Sequence, residues 1–544
     1  MAKFNVIVTD HLAEEGYDIL RADPEVELDL RPGIKNDELK KILGNYDAVI
    51  TRSGTDVDED LLSDTGKLKI VGRAGVGLDN VDIETASRKG LIVMNAPTGN
   101  TIAAVELSMG MILAAARKIP AADTSLRAGE WDRKRFMGVQ LHNKVLGIVG
   151  LGRIGGNVAA RCKAFGMKVH VYDPYIKRER AEGLGVKLCQ SLEELLSIAD
   201  VLTLHTPLTN ETKKMIGREQ IALMKDGAIL VNCARGGLMD EQAVVDAVNS
   251  GKLFSAATDV FEEEPPTGSP LTKTENLFVT PHIGANTEEG QKGVAVIICE
   301  QVLNALHGRP YQYAVNKPFE KEQLSSDMQK FFDVSESLGR MAAQLTIGKV
   351  QEVRVIMAGK RFEEDLGEKS FDTPFNFQPF TIALAKGFME TYLHNPVSYI
   401  NAPYLAQDRG MMLNETKTDE YSRSRLRDHI IVIVKTDLGE VRYAATVFAD
   451  GVGRIVRIAD FHLDLIAKGI YLYFKNHDTP GIVGKVGTLL GEHGVNIVNF
   501  ALTRLHSRGS EAVSFVLVDE PIPQIVIDKL YQFEGIIEAK AIKL

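Results

Sequence analysis

The segment KVLGIVGLGRIGGNVAARCKAFGMKVHVYD, residues 144–173, constrains the fold more than any other part of the chain. It begins with an apolar run of strand length and ends with a second such run and the acid Asp173. Gly150, Gly152 and Gly155 stand between the two runs in G-x-G-x-x-G spacing, and apolar residues at helical spacing follow them. Strand, glycine turn, helix and second strand in this order predict a dinucleotide-binding βαβ unit.

Each part of this unit has a physical role. The glycines let the backbone approach a pyrophosphate, and the N-terminus of the helix offers free N–H groups to that anion. Asp173 follows Gly155 by 173 − 155 = 18 residues and can accept hydrogen bonds from both ribose hydroxyls. Its charge repels a 2′-phosphate, so the pattern favours NAD over NADP. A plain tight turn in an α/β domain is the alternative, and it leaves the acid unexplained.

Bulk properties exclude several classes of protein. With 544 residues the chain is too long for one core and should form three or four domains. A net charge of −10 argues against a nucleic-acid or anionic-membrane partner. The four cysteines are scattered without metal-ligand spacing, as is usual for reduced thiols. No leader peptide and no membrane-length apolar run is evident, so we expect a cytoplasmic protein.

Up to about residue 317, short apolar strands alternate with helical segments. This alternation predicts an α/β fold with two parallel, doubly wound sheets of the Rossmann and flavodoxin-like type. Residues 103–117 are rich in Ala and Met, so we expect a helix buried between domains. We expect strands at residues 5–9, 48–52, 69–72, 91–95, 201–205, 229–233, 256–260 and 277–280.

The pattern changes after Lys317-Pro318. Residues 319–339 read as a polar helix, and the strands that follow predict an antiparallel sheet in a separate α+β domain. Residues 470–544 read as βαββαβ, which is the ferredoxin-like arrangement, with a hairpin turn at Ser507-Arg508-Gly509. In the middle region we expect strands at residues 350–357, 429–435, 441–448 and 453–458.

Three polar side chains follow the last three strands of the nucleotide-binding sheet. Arg235, Glu264 and His282 each come shortly after one strand. Because ligands bind beyond the carboxyl ends of parallel strands, we expect the three residues to converge where the cofactor lies. This trio suits the oxidation of a 2-hydroxy acid, with His282 as base, Glu264 fixing its tautomer and Arg235 gripping a carboxylate.

Taken singly, each residue has a plainer interpretation. His282 alone would more often be a structural hydrogen-bonding residue, and Glu264 in EEEPP a solvated loop acid. Arg235 beside Gly236-Gly237 would merely cap a helix. Their convergence after successive strands favours the catalytic interpretation.

Five motifs carry a resemblance to a known family, and each reads directly from the sequence: GRAGVGLDNVD from residue 72, VGLGRIGGNVA from 149, NCARGGLMDE from 232, DVFEEEPP from 259 and TPHIGANT from 280. With these motifs the first 317 residues or so resemble the D-isomer-specific 2-hydroxyacid dehydrogenases. The resemblance implies an NAD-dependent oxidoreductase in which Arg235, Glu264 and His282 are catalytic. In this family the glutamate directly precedes a proline, as Glu264 does.

The resemblance also implies ligand contacts. The expected NAD contacts are Val76, Gly150, Gly152, Arg153, Ile154, Gly155, Asp173, Thr206, Pro207, Cys233, Ala234, Asp259, Gly284 and Ala285. The expected substrate contacts, which include arginines suited to a phosphate, are Arg52, Ser53, Gly54, Arg73 and Asn95.

Domain boundaries follow from the same resemblance. It implies a substrate-binding domain of residues 1–98 and 285–317, hinged to a nucleotide-binding domain of residues 99–284. Residues 318–468 resemble an intervening α+β domain, and residues 469–544 an ACT domain. This organisation is that of family members that oxidise 3-phospho-D-glycerate to 3-phosphohydroxypyruvate, the first committed step of L-serine biosynthesis. Such members imply a homotetramer as well.

The ACT-like segment KNHDTPGIVGKVGTLLGEHGVNI implies an effector site. Asp478 and Asn496 stand where the family binds L-serine, and their side chains suit an ammonium and a carboxylate or hydroxyl. Asn476 stands where some relatives have tyrosine, so we expect the affinity for serine to differ from theirs. A turn acid and a strand-start amide without a ligand are the structural alternative.

Two other functions remain open. A hydroxypyruvate or glyoxylate reductase shares this fold, and side activity on 2-oxoglutarate is compatible with it. The long C-terminal extension and the arginines argue against the reductase. The second alternative is a nucleotide-sensing scaffold like the corepressors that share the fold, and the complete Arg/Glu/His set weighs against it.

Overall fold

A computed structural model describes residues 3–362, 375–393, 396–419, 428–504 and 511–544. Within those ranges no helix has the length and apolar character needed to cross a membrane.

The first sheet has five strands, and all of its neighbouring strands are parallel. The strands are β1 (Phe4–Val8), β2 (Val26–Leu30), β3 (Ala48–Thr51), β4 (Ile70–Arg73) and β5 (Ile92–Met94). Their order is β2-β1-β3-β4-β5, which is the flavodoxin-like order. The helices between them are α1 (Glu14–Ala22), α2 (Asn36–Ile42) and α3 (Ile83–Arg88).

The second sheet has seven parallel strands in the order β12-β11-β10-β9-β6-β7-β8. The chain reverses direction of winding at β6, as a Rossmann sheet does. Its strands are β6 (Val145–Val149), β7 (Lys168–Tyr172), β8 (Lys187–Leu188), β9 (Val201–Leu204), β10 (Ala228–Asn232), β11 (Leu253–Thr258) and β12 (Leu277–Val279). Its helices are α4 (Thr101–Arg117), α5 (Ile119–Arg127), α6 (Arg153–Ala164), α7 (Arg178–Leu184), α8 (Leu192–Ile198), α9 (Arg218–Leu223) and α10 (Glu241–Asn249). Two doubly wound parallel sheets are therefore confirmed.

After the second sheet the chain returns to the first. Helix α11 (Glu288–Leu306) packs Ile298 and Val302 into the core of the first sheet. Asn316, fully buried, then accepts from the Val93 N–H at 2.9 Å and donates to the Leu91 carbonyl at 2.8 Å. This return agrees with a discontinuous substrate-binding domain, although its boundaries at residues 98, 284 and 317 stay predictions.

The third sheet is mixed: the four predicted strands pair antiparallel as expected, and an additional strand that was not predicted adds one parallel pair. Its order is β14-β13-β15-β16-β17-β18, and β13 pairs in parallel with β14 while the other pairs are antiparallel. The parallel pair is possible because α13 and α14 connect the two strands. The elements are α12 (Ser326–Leu345), β13 (Val350–Ala358), α13 (Pro379–Tyr392), α14 (Ala402–Asp408), β14 (Met412–Thr418), β15 (His429–Thr436), β16 (Gly439–Val447), β17 (Gly453–Ile458) and β18 (Phe461–Ile466).

The fourth sheet is antiparallel in the order β20-β21-β19-β22, and the βαββαβ prediction is confirmed. The elements are β19 (Ile470–His477), α15 (Ile482–Glu492), β20 (Ile497–Arg504), β21 (Glu511–Val518), α16 (Gln524–Leu530) and β22 (Ile536–Lys543). The predicted turn at Ser507-Arg508-Gly509 lies outside the described residues.

Helix α12 joins the third and fourth sheets into one core. Phe332 and Leu338 of the helix are fully buried and belong to a cluster that includes Tyr473 and Phe515 of the fourth sheet. The side-chain amide of Gln344 donates to the backbone carbonyl of Lys543 at 3.0 Å and accepts from its N–H at 3.1 Å. The predicted helix is confirmed, but it begins at Ser326 rather than at residue 319, and its buried face makes it amphipathic rather than polar throughout.

Candidate active site

Arg235, Glu264 and His282 lie at one edge of the seven-stranded sheet. They follow β10, β11 and β12, which are adjacent strands, so parallel pairing brings their loops together at the carboxyl end of the sheet. The structure therefore places the three residues on neighbouring loops, as their spacing predicts.

Glu264 and His282 form a close pair. Glu264 Oε2 lies 2.6 Å from His282 Nδ1, and Glu264 Oε1 accepts from the Phe261 N–H at 3.1 Å. The carboxylate is held from both sides, and it fixes the ring orientation by engaging Nδ1. The His282 side chain is 49% exposed, and Nε2 is the ring nitrogen that Glu264 does not engage. This arrangement orients an imidazole for proton transfer.

Asp259 shapes the loop that carries His282. Its fully buried carboxylate accepts from Thr280 Oγ1 at 2.6 Å and from the N–H groups of Ile283 and Gly284, both at 2.8 Å. Burial raises the pKa of Asp259 although these hydrogen bonds oppose that shift. His282 itself has φ = 50°, an uncommon left-handed conformation for a residue other than glycine. The Asp259 contacts hold this strained residue in place.

Arg235 reaches from the second sheet to the first. Its Nη1 donates to the Ala234 carbonyl at 2.7 Å, and its Nε lies 3.0 Å from Asp79 Oδ2 in the loop after β4. The guanidinium packs against Gly77, where a side chain would collide with it. A cation that can grip a carboxylate is therefore fixed in the cleft between the two sheets.

Arg52 and Arg73 lie near Arg235 at the edge of the first sheet. Burial and the charges of Arg235 and Arg52 lower the pKa of Arg73 to about 10. Burial also lowers the pKa of Arg52, against the charge of Asp10. The Nε atom of Arg73 is buried and has no hydrogen-bond partner in the part of the chain that the structure describes. Three repelling guanidinium groups suit a substrate that carries several negative charges.

Asp10 holds the loop after β3, which contains Arg52, Ser53 and Gly54. Asp10 Oδ2 accepts from the Arg52 N–H at 2.7 Å and from Thr55 Oγ1 at 2.9 Å, and Oδ1 accepts from the Gly54 N–H at 3.1 Å. Ser53 is exposed beside them. The Gly54 amide is therefore engaged within the chain.

Asn95 is buried and donates through Nδ2 to the Val76 carbonyl at 2.7 Å. The structure thus shows Asn95 supporting the loop after β4, while a substrate contact of Asn95 stays a prediction.

The glycine loop after β6 fits a dinucleotide. Gly150 has φ = 92°, and a Cβ on Gly155 would collide with the Gly150 carbonyl, so helix α6 can pack close to the strand. A Cβ on Gly152 would meet no atom within 4 Å, which leaves open space over the N-terminus of α6. Asp173 accepts from the Leu151 N–H at 2.8 Å and from the Tyr175 N–H at 3.0 Å. This cradle suits a pyrophosphate at the loop and a ribose at Asp173.

The remaining predicted cofactor contacts surround the same edge. Arg153 and Ile154 begin α6, and Thr206 and Pro207 follow β9. Burial raises the pKa of the Cys233 thiol to about 12, so the predicted contact of this residue with the cofactor would be made by an uncharged thiol. The other predicted contacts lie in loops that follow strands: Val76 after β4, Ala234 after β10, and Gly284 and Ala285 after β12.

Asp478 and Asn496 form hydrogen bonds with other side chains of the C-terminal unit, residues 470–544. Asp478 Oδ2 accepts from Arg504 Nη1 at 2.6 Å. Asn496 donates through Nδ2 to Asp519 Oδ2 at 2.8 Å, and its N–H donates to Glu520 Oε2 at 3.0 Å. An effector at these residues would have to compete with these contacts.

Sequence reasoning missed Asp10, Gly77, Asp79 and Asn80. Asn80 Nδ2 donates to the carbonyls of Arg52 and Thr55, both at 2.6 Å, and so ties the loop after β4 to the loop after β3. Asp10 directly follows the predicted first strand, and the rule that ligand sites lie beyond strand ends could have found it. Asp79 gave no such signal, because its partner Arg235 lies on the other sheet.

Comparisons with known proteins place each region. The NAD-binding domain of D-isomer-specific 2-hydroxyacid dehydrogenases matches residues 109–284. The D-3-phosphoglycerate dehydrogenase intervening domain matches residues 327–459, and the ACT domain matches residues 470–535. The fold and the site thus define an NAD-dependent oxidoreductase of the D-isomer-specific 2-hydroxyacid dehydrogenase class.

Full-length relatives narrow the assignment. D-3-phosphoglycerate dehydrogenase of Methanocaldococcus jannaschii is 39% identical over 541 residues, covering 99% of both chains. The enzyme of that name from Bacillus subtilis is 37% identical over 541 residues, covering 99% of this chain and all of its own. The chain belongs to the D-3-phosphoglycerate dehydrogenase family.

Solved structures match the first part of the chain. A glyoxylate reductase from Paecilomyes thermophila has a TM-score of 0.54 and 30% identity, covering 58% of this chain and 99% of that one. A D-lactate dehydrogenase from Aquifex aeolicus, complexed with NAD and lactic acid, has a TM-score of 0.51 and 29% identity over 56% of this chain and 96% of its own. The likeness supports NAD as the cofactor of the two-sheet unit.

Proposed function

We propose that the chain oxidises 3-phospho-D-glycerate to 3-phosphohydroxypyruvate with NAD, the first committed step of L-serine biosynthesis. The Glu264–His282 pair opposite the guanidinium of Arg235 is the observation that carries this proposal. The full-length relatives named D-3-phosphoglycerate dehydrogenase support the choice of substrate.

His282 acts as the base in this proposal. Because Nδ1 is engaged by Glu264, Nε2 is the ring nitrogen that can take the proton of the substrate hydroxyl. Glu264 then stabilises the imidazolium that forms. NAD, which the glycine loop after β6 and Asp173 would hold, would supply the acceptor for the hydride that leaves C2 of the substrate. In the reverse direction the same imidazolium returns its proton to the carbonyl oxygen.

Arg235 binds the carboxylate and stabilises negative charge at the reacting oxygen. The phosphate lies toward Arg52 and Arg73, with Ser53, Gly54 and Asn95 around it. The lowered pKa of Arg73 supports this placement, because a dianion would relieve the repulsion among the three guanidinium groups.

The test is NADH formation by the purified chain with 3-phosphoglycerate, beside His282→Gln. The variant should lose about 10² to 10⁴ in kcat, which is the usual contribution of a positioned base. It should still bind NADH, as NADH fluorescence can show. His142→Gln, an exposed histidine on the same sheet unit, is the control. An inactive unsubstituted chain would overturn the proposal.

The same assay separates the rival functions. A hydroxypyruvate or glyoxylate reductase would turn over unphosphorylated glycerate at least as well as 3-phosphoglycerate. A nucleotide-sensing scaffold would bind NADH and keep its partner binding while His282→Gln changed no turnover. Preference for the phosphorylated acid and loss of turnover in His282→Gln would exclude both.

Feedback by L-serine through the ACT domain is the second part of the proposal. The ACT match and the positions of Asp478 and Asn496 support it. The ammonium of serine would replace Arg504 at Asp478. Serine should lower the rate of the unsubstituted chain, and Asp478→Asn should weaken that inhibition. Unchanged rate and assembly at saturating serine would contradict the regulation and leave the catalytic proposal standing.

We also propose that the chain is a cytoplasmic homotetramer. Three of its four cysteines are buried and all are unpaired, which fits a reducing compartment. Light scattering coupled to size exclusion should give four times the 59.7 kDa of the chain. A monomer at micromolar concentration would contradict the assembly.

A further inference from the structure

The ion pair between Asp79 and Arg235 joins loops of two different sheets. Asp79 belongs to the loop after β4, and Arg235 follows β10. Asp79 Oδ2 lies 3.0 Å from Arg235 Nε across the cleft in which the proposed substrate binds. This geometry links Arg235, which binds the carboxylate in the proposed function, to the sheet that carries Arg52 and Arg73.

The guanidinium of Arg235 is fixed at two atoms. Nη1 donates to the Ala234 carbonyl at 2.7 Å, and Nε contacts Asp79. Two fixed atoms determine the plane of a rigid planar fork. Nη2 lies against Gly77, whose missing side chain leaves the space that the guanidinium occupies.

The loop that carries Asp79 is bonded to the loop after β3, which carries Arg52 and is called here the phosphate-binding loop. The neighbouring Asn80 donates to the carbonyls of Arg52 and Thr55, both at 2.6 Å. The position of Asp79 therefore follows the position of the loop that carries Arg52. A three-carbon acid with a carboxylate at one end and a phosphate at the other needs a fixed spacing between its cations.

Asp10 cannot serve in this role. Its two carboxylate oxygens accept from the Arg52 and Gly54 N–H groups and from Thr55 Oγ1, so they hold backbone and a hydroxyl. Asp10 and Asp79 both raise the pKa of Arg73 against the neighbouring arginines. Of these two acids, Asp79 is the one whose side chain contacts a guanidinium.

We propose that Asp79 is a positioning residue for oxidation of the substrate: its ion pair with Arg235 fixes the carboxylate-binding guanidinium relative to the phosphate-binding loop. This inference rests on the proposed function. Asp79 is 63% exposed, so solvent weakens the pair and its loss should reduce turnover moderately rather than abolish it.

The test compares steady-state NADH formation by the unsubstituted chain, Asp79→Asn and Asp79→Glu at saturating NAD. In Asp79→Asn, kcat should fall about tenfold, which corresponds to about 1.4 kcal/mol. The KM for 3-phosphoglycerate should not rise, because removing a negative charge favours a polyanion. Asp79→Glu should recover at least about a third of kcat, since a carboxylate can again reach Arg235. Asp37→Asn, an exposed acid on the same sheet unit, should behave as the unsubstituted chain.

A double-mutant cycle assigns the effect to Arg235. In the Arg235→Gln background, Asp79→Asn should change kcat by less than about twofold, because the ion pair is already absent. A similar tenfold loss in that background would overturn the inference. So would a raised KM with unchanged kcat in Asp79→Asn alone, since that pattern indicates a loosened binding loop.

The outcomes separate this inference from the function on which it rests. If the unsubstituted chain oxidises 3-phosphoglycerate and Asp79→Asn matches it in kcat, only the role of Asp79 fails. If the unsubstituted chain forms no NADH, the proposed function fails and this inference with it.

Discussion

Glu264 Oε2 and His282 Nδ1 lie 2.6 Å apart, although strand β12 separates the two residues in the chain. The pair is possible because β11 and β12 are adjacent and parallel, so their following loops share one edge. The His282 backbone N–H donates to the Asp259 carbonyl at 2.9 Å, which ties the imidazole to the same edge. The order of the strands in the sheet therefore brings the carboxylate of Glu264 and the imidazole of His282 together.

Glu264→Gln should lower kcat by about one to two orders of magnitude, within the usual contribution of acid–base groups. Glutamine keeps the shape of the side chain but cannot neutralise an imidazolium. NADH formation with saturating substrates is the measurement. Glu263→Gln, in which an exposed neighbouring acid is changed, is the control and should retain full activity. Equal rates for the two variants would contradict the role of Glu264.

Arg73→Gln should raise the KM for 3-phosphoglycerate about 10- to 100-fold, since a hydrogen bond to a charged group contributes about 1.5–3 kcal/mol. Turnover of unphosphorylated glycerate should change much less, because it lacks the phosphate. Arg31→Gln, on the surface of the same sheet unit, serves as the control. If Arg73→Gln impaired the oxidation of glycerate as much as that of 3-phosphoglycerate, Arg73 would support the fold of the site and not bind the phosphate.

Asp173→Ser should raise the ratio of NADP to NAD use by about tenfold or more. Two charges 4 Å apart near a protein surface repel by about 4 kcal/mol, and tenfold corresponds to only about 1.4 kcal/mol. The KM for NAD should also rise, because the Leu151 and Tyr175 N–H groups lose their acceptor. Initial rates with each cofactor give the ratio. An unchanged ratio would show that Asp173 does not face the ribose.

His205 should make the stability of the chain depend on pH. Burial lowers the pKa of His205 from 6.5 to about 4. Below pH 6.5 the imidazole of His205 is protonated in the unfolded chain but stays neutral in the folded chain. The free energy of unfolding therefore falls as the pH decreases from 6.5 to 4. The loss amounts to at most about 3.5 kcal/mol, since the shift of about 2.5 pKa units costs about 1.4 kcal/mol per unit.

Thermal unfolding midpoints at pH 7 and pH 5 measure this effect. His205→Gln, whose amide can still reach Thr203 as His205 Nε2 does at 3.0 Å, should lose less stability on acidification. His142→Gln should respond to acid as the unsubstituted chain does. Identical acid sensitivity of all three proteins would contradict the assignment to His205.

The sequence predicts most of the fold because strong patterns repeat. The strand–glycine–helix unit around Gly150 and the βαββαβ order of the last unit both follow from local periodicity. Strands β2, β8, β14 and β18 were missed. β8 has only two residues, and β2 and β14 lie at sheet edges with no buried residue, so their apolar pattern is weak.

The clustering of Arg235, Glu264 and His282 could be predicted because each of them follows a strand of one parallel sheet. Asp79 and Asn80 could not, because their partners come from other loops or from the other sheet. The buried face of α12 was also hidden. The many polar residues of α12 make its apolar stripe hard to recognise in the sequence. The residues that pack against this stripe, such as Phe515, lie far along the chain.

The shared core around α12 limits how this protein can be shortened. A chain that ended before residue 469 would expose aromatic and aliphatic surface that now covers the helix, and Gln344 would lose its bonds to the backbone of Lys543. Deleting the last unit to remove the proposed serine site would therefore invite aggregation. Substitutions within that unit are the safer route to the same end.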